Sequence, residues 1–386
     1  MTPKRLLATA SAAFLLLAVA ACGEGSRSTD SVPTWSIREE WRVGGEVEGP
    51  HSFDANFGLA MLPGDSLIHF DYQNQQFHVL DTAGKPVRSF GRRGAGPGET
   101  DANGFAISPS GQIVVNDRGN NRLSRFDAAG AFLGAVAVPA EFTMGVRWNA
   151  AFLQDGRLLE RYATATDSLG AGVWLDRTRL WSRDLSTFEE LFLSSCMVSP
   201  RPAAGHTYIP TRKGAGAFTG LLPLPFSGPW FATAVDQAGY LWGQPAPDSA
   251  RLNKLPLGQC TQVATIALVD SAPSIPAAIA DSALDAFDGF AAAGGGALPP
   301  GTTLPTRFPL FWTLQVDDRH QLWVQRFGPN GEQRMEVYDS TGAIVAHVNS
   351  FPLNPRWPIV FHGDRIYGLV ADEDGIKHLV ALSIVR

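Results

Sequence analysis

The sequence predicts an all-β fold assembled from repeated four-stranded units, and three observations predict it. The first is local patterning. Within residues 86–138, Ile113, Val115, Leu123 and Phe126 sit in short apolar runs bounded by Ser108-Pro109-Ser110-Gly111 and Asp127-Ala128-Ala129-Gly130. Such runs read as strands, and Gly, Asp and Ser supply the turns because Gly tolerates positive φ and Asp or Ser bonds its own backbone. The second is repetition. Gly49-Pro50, Asp54-Ala55-Asn56, Pro63, Asp71, Asp81 and Gly84 recur 47, then 46, residues later as Gly96-Pro97, Asp101-Ala102-Asn103, Pro109, Asp117, Asp127 and Gly130. The third is composition. A chain of 386 residues with 45% hydrophobic residues, 40 Gly, 27 Pro and 18% charged residues fits a turn-rich globular protein.

A period in the forties built from four short strands reads as propeller blades. FGRRGAGPGE followed by GQIVVNDRGNNRLSRFDAAGAFL resembles an NHL-type blade, and the chain is similar to bacterial six-bladed β-propellers, including lipoprotein members. The specific motif covers residues 56–138. Elsewhere the likeness is one of apolar pattern and turns, and no catalytic motif comes with it. The expected fold is a six-bladed β-propeller of four-stranded blades, closed by an N-terminal strand, with loop and short-helix insertions on one face.

In chain order, residues 1–21 read as a signal peptide. Lys4-Arg5 precedes an apolar stretch too short to remain as a membrane span, ending in Val19-Ala20-Ala21-Cys22. That ending resembles a lipobox, which implies cleavage before Cys22 and lipidation of its thiol. Gly23 in place of an acidic residue leans towards the outer membrane in such proteins. Residues 22–33 form a polar tether, and 34–386 the propeller. Cys196 and Cys260 are an even pair outside the cytoplasm, expected either to form a disulfide between neighbouring blades or to stay as buried thiols.

The blades are placed at 57–90, 105–138, from 148 to 193, 231–268, 311–348 and from 357 to the end. The last holds only three strands. The repeat offset places Val43-Gly44 on Phe90-Gly91, the end of a fourth strand. Residues 35–43 are therefore expected to complete the sixth blade and remove its exposed edge. Excursions at 163–172, 194–228 and 270–309 fall at connections that emerge on one face. Within the last, Ile279, Leu284, Phe287 and Phe290 have helical spacing over 277–293. Trp230 and Trp312 flank these insertions, where they serve either as stacking surfaces or as core.

The chemistry is sparse. No GxSxG, HExxH, P-loop or kinase signature is present. Of eight dispersed His residues, His69 is the best placed for a channel metal, but its counterpart Val115 marks an ordinary strand position. No cofactor is expected. Calcium on Asp71, Asp117, Asp236 and Asp317 is the one exception the carboxylates allow, and strand-end turns account for most of them. The formal charge of −6 comes without a basic block, which argues against nucleic acid. The candidate binding face comprises Tyr72, Asn74, Arg92, Arg93, Asp117, Arg118, Asn120 and Arg122, whose guanidinium forks suit carboxylates or phosphates. These features lead to an envelope lipoprotein, a monomeric propeller that binds a protein, peptide or glycan. A metal-dependent lactonase- or lyase-like enzyme and a structural part of an outer-membrane complex are the alternatives.

Overall fold

The structure, a computed structural model, describes residues 32–54, 56–138, 148–165, 174–191, 206–209, 220–228, 233–246, 249–268, 272–293, 298, 301–354 and 357–386. The chain opens with strand β1 (Thr34–Gly44). A first antiparallel sheet follows: β2 (Asn56–Leu62), β3 (Ser66–Asp71), β4 (Gln76–Asp81) and β5 (Pro86–Phe90). The second sheet is β6 (Phe105–Ile107), β7 (Ile113–Asp117), β8 (Arg122–Phe126) and β9 (Phe132–Ala137). The third is β10 (Asn149–Phe152), β11 (Leu158–Ala165), β12 (Trp174–Trp181) and β13 (Phe188–Leu191). A hairpin of β14 (His206–Ile209) and β15 (Gly220–Pro223) then forms a separate two-stranded sheet. The excursion 194–228, read from the sequence as connecting loop, therefore carries secondary structure of its own.

The fourth sheet is β16 (Thr233–Asp236), β17 (Tyr240–Gly243), β18 (Arg251–Pro256) and β19 (Ala264–Ala267). Helix α1 (Ala277–Ala293) follows, with the bounds expected from its spacing. The remaining strands are β20 (Thr313–Val316), β21 (Leu322–Phe327), β22 (Gln333–Tyr338), β23 (Ile344–Val348), β24 (Ile359–His362), β25 (Arg365–Ala371) and β26 (Lys377–Val385). They share one eight-stranded sheet in the order β20-β21-β22-β23-β1-β26-β25-β24.

β1 lies between two groups of strands. It pairs antiparallel with β26, from Ser36↔Val385 to Gly44↔His378. Its first residues, Thr34 and Trp35, also pair in parallel with His347 and Val348 of β23. The N-terminal strand thus supplies the fourth strand beside β24, β25 and β26.

Burial explains the strand patterns. Second strands such as β7 (Ile113–Asp117) and β21 (Leu322–Phe327) are buried along their whole length, polar residues included. Outer strands such as β9 alternate between half-buried and exposed residues, because only one face meets a neighbour. The sheets pack face to face. Ile68, Phe70 and Phe77 of the first sheet share a core with Ile113, Val115 and Phe126 of the second. Each buried aromatic or large aliphatic residue there contributes about 1.5–3 kcal/mol.

Small residues let the sheets approach. Gly130, in the turn between β8 and β9, has φ +93°, and a Cβ there would lie 2.5 Å from the ring of Phe90 on β5. Gly84, in the equivalent turn of the first sheet, meets Trp41 of β1 in the same way, and the Trp41 indole donates to the Thr82 carbonyl at 2.9 Å.

The first strands of successive sheets lie side by side: β24 by β2, β2 by β6, β6 by β10, and β16 by β20. The turns that follow these strands are also joined. Gln154 N donates to Gln237 O at 2.8 Å, His320 Nδ1 lies 2.6 Å from Asp236 Oδ1, Gly363 N donates to Asp318 Oδ2 at 2.7 Å, and His362 Nε2 lies 2.9 Å from Asp65 Oδ1. Among the described residues, no helix is long and apolar enough to cross a membrane.

Candidate functional site

In a four-stranded antiparallel sheet, the turn between strands two and three and the exit of strand four share one end. The polar loops singled out in the sequence lie at that end, and the structure ties them to one another. Asp117 is fully buried and its carboxylate is saturated. Oδ1 accepts from Asp101 N and Asn120 Nδ2, both at 2.7 Å. Oδ2 accepts from Arg122 Nε at 2.6 Å and Ser124 Oγ at 3.1 Å. Arg122 also donates to the carbonyls of Gly96 and Glu99, so it holds the glycine-rich connection in place. Asn120 donates to Gly94 O at 2.9 Å.

Asn74 caps Asp71 through both its backbone N–H and its side-chain amide. Arg92 pairs with Glu99 at 2.7 Å and Arg93 with Asp101 at 2.5 Å, while both guanidinium groups remain largely exposed. The Glu99 carboxyl is held below its usual range by the Gly96 N–H and by Arg92. Exposed pairs of this kind contribute about 0–1 kcal/mol. Tyr72 and Arg118 are exposed. The structure therefore gathers these residues into the junction of the first two sheets, and most of their polar atoms are spent on the fold.

The carboxylates considered for calcium are likewise spent locally. Asp236 faces Ala238 N, His320 and the Lys254 ammonium, the last at 3.1 Å. Asp317 accepts from Arg319 N, Gln321 N and the Trp323 indole, and burial raises its pKa. Among the described residues, no group of three or more His, Cys, Asp or Glu is placed to hold a metal ion.

His69 is buried inside the first sheet. Its ring packs against Phe53 and, at 4.9 Å between centroids, against His78. Its Nε2 donates to Pro50 O at 2.8 Å, and Nδ1 has no partner. Burial pushes its pKa down to about 3, and burial lowers His78 as well. Cys260 is disulfide-bonded. Cys22, Cys196 and Trp230 lie outside the described residues.

The same end of the fold carries a cavity of about 400 Å³ that sequence reasoning reached through Trp312 alone. Five separate segments line it. Phe226 comes from the excursion after the third sheet, and Ile279 from the first turn of α1. Phe308 and Trp312 precede β20, and Phe327, Gly331 and Gln333 surround the turn from β21 to β22. Pro352, Leu353 and Asn354 follow β23.

Phe308 and Phe327 are buried and stack at 4.3 Å with 15° between their planes, forming a rigid floor. Phe226 stands edge-on to both, and Trp312 edge-on to Phe327 at 5.5 Å. These two walls are only half-buried. Gly331 has φ +81°, and a Cβ on it would lie 2.4 Å from Ile279 Cδ1, so this glycine admits α1 to the cavity wall. No charged side chain lines the cavity among the described residues. The sequence signal for Phe226 and Phe308 was weak: single aromatic residues at the edges of Pro- and Gly-rich insertions.

No protein-family model matches the chain, and no curated protein matches it. Solved structures do match. A member of the DUF4221 family from Bacteroides vulgatus shares 9% identity with a TM-score of 0.51, covering 92% of this chain and 99% of that one. Virginiamycin B lyase from Staphylococcus aureus shares 12% at a TM-score of 0.45, covering 91% and 100%. The calcium-binding protein regucalcin from Agrobacterium tumefaciens shares 13% at 0.42, covering 92% and 96%. At 9% identity the likeness to the DUF4221 member is one of fold alone, and the succession of four-stranded antiparallel sheets is consistent with a propeller.

Proposed function

We propose that this protein is a lipid-anchored envelope protein, a six-bladed propeller that binds a ligand at the end carrying its insertions. The aromatic cavity carries the reading. Two half-exposed ring walls over a stacked Phe308–Phe327 floor leave apolar surface open where a core would close it. Its size falls in the usual range for ligand sites of roughly 300–1,000 Å³. The pairing of β1 with β26 and the contacts between successive first strands support a ring closed by the N-terminal strand. The Val19-Ala20-Ala21-Cys22 segment supports the anchor.

The test is a thermal-shift screen of small neutral compounds against the mature domain and its Phe226→Ala variant. Compounds that stabilise only the parent protein support the cavity as the binding site. Equal responses, or none, overturn it. Labelled fatty acid should be incorporated into the full chain and lost in Cys22→Ala. Incorporation that survives that change would remove the anchor.

A further inference from the structure

A hydrogen-bond relay runs from the core to the cavity wall, where it ends at Gln333 in one unspent donor. Thr313 is fully buried on β20, and its hydroxyl donates to Gln325 Oε1 at 3.0 Å. Gln325, fully buried on β21, donates through Nε2 to Gln333 Oε1 at 2.6 Å. The backbone N–H of Trp312 donates to the Gln325 backbone carbonyl at 2.7 Å, so the same residue also fixes the ring wall. Gln333 is thereby held by its oxygen, and its NH2 group has no partner among the described residues. Buried polar chains of this kind orient their last member without further cost when a ligand arrives.

The surroundings restrict what that NH2 can meet. The ligand needs an acceptor oxygen for it. It needs an apolar face for the half-buried rings of Trp312 and Phe226. It carries no charge that requires pairing, since the described lining residues supply neither sign. Asn354 adds a second amide at the rim. A purely apolar ligand would leave the Gln333 donor desolvated and unmatched, which is unfavourable. A saturated ring with C–H groups on its faces and oxygens on its edge satisfies both demands.

From the relay and the ring walls, we infer that the cavity takes a neutral sugar ring. One face lies on the Trp312 ring, Phe226 stands beside it at 50° to that ring as a side wall, and an edge oxygen accepts from the Gln333 amide. This inference rests on the proposal that the cavity is a binding site and adds the class of ligand.

Saturation-transfer NMR on the folded protein tests it with four probes: methyl glucoside, methyl N-acetylglucosaminide, glucuronic acid and indole. Signal from one or both neutral glycosides, with glucuronic acid at least about tenfold weaker, is the expected result. Trp312→Ala should weaken glycoside binding about tenfold or more. Gln333→Glu keeps the acceptor for Gln325 and replaces only the NH2 group. It should weaken binding to a similar degree with an unchanged melting temperature, which guards against a loss caused by misfolding in Trp312→Ala. Indole binding without glycoside binding would overturn the sugar assignment and leave the cavity as a ligand site. Silence from all four probes would overturn both. Glycoside binding that survives both substitutions would place the sugar elsewhere and overturn the inference.

Discussion

The indole of Trp35 packs against that of Trp323, with ring centroids 6.1 Å apart, and the guanidinium of Arg386, the last residue, sits 4.8 Å from the Trp35 ring centroid. One side chain from the first strand thus joins β21 to the chain terminus. Trp35→Ala should cost about 3–5 kcal/mol, the usual range for a buried aromatic truncation. Urea denaturation gives the value, and a loss under about 1 kcal/mol would show that β1 is peripheral. Removing residues 34–44 should abolish cooperative unfolding, since β26 would keep β25 but lose its second antiparallel partner and expose an edge.

Two glycines with similar backbone angles should respond differently. Gly64 has φ +86° and open space where a Cβ would go, whereas Gly130 has φ +93° and the Phe90 ring in that place. Gly64→Ala should cost only the backbone penalty of about 1 kcal/mol. Gly130→Ala should cost that plus displacement of the ring, about 3 kcal/mol in all. Equal melting-temperature losses for the two variants would remove the steric account of this junction.

Glu160 is buried and accepts from two indoles, Trp148 Nε1 at 2.7 Å and Trp181 Nε1 at 2.9 Å. Glu160→Gln keeps one acceptor and turns an NH2 group towards the other donor. Leaving that indole unsatisfied should cost about 1–3 kcal/mol. Glu160→Leu strands both N–H groups and should cost more. Tryptophan fluorescence during denaturation reports both effects, and a Leu variant as stable as the Gln variant would contradict the pairing.

The protein should lose stability in acid through His69. Its folded pKa is depressed to about 3, while the unfolded chain titrates near 6.5. Below about pH 6.5 the unfolded state binds a proton that the native state refuses. Stability is therefore complete above that pH and falls as pH drops towards 3, by up to about 1.4 kcal/mol per pH unit for this group. His78 is shifted in the same direction and adds to the slope. Denaturation midpoints of the parent and His69→Phe, measured between pH 7 and 4, check this. Parallel curves would show that His69 is not the group responsible.

Much of the fold was legible because its signals are local and repeated. Asp-x-x-Gly turns such as 81–84 and 127–130 recur at a fixed spacing, and each one closes a strand pair through Asp81 or Asp127. The pairing of β1 with β26 was legible as well, because the repeat left one strand without a sheet and one sheet without a strand. The hairpin β14–β15 was not, since residues around 206–223 follow no copy of the repeat. The candidate site was the least legible part. Asp117, Asn120 and Arg122 advertise binding by residue type, yet their partners Asp101, Gly94 and Glu99 reach them only through the packing of one sheet on the next. The cavity draws Phe226, Ile279, Trp312 and Leu353 from segments spread over more than 120 residues of sequence, which no local pattern records. Trp312 alone was marked, by its place beside an insertion.

Because β1 lies between β26 and β23, the earliest strand to leave the ribosome must wait for the latest. Ser36 cannot meet Val385 until almost the whole chain is available, so this pairing carries the largest loop-closure entropy in the fold. Until then β26 presents an open edge. With Cys22 lipidated as proposed, the waiting strand would be tethered at the bilayer a dozen residues upstream. Assembly would then finish at the membrane surface, with β26 keeping an open edge until β1 reaches it.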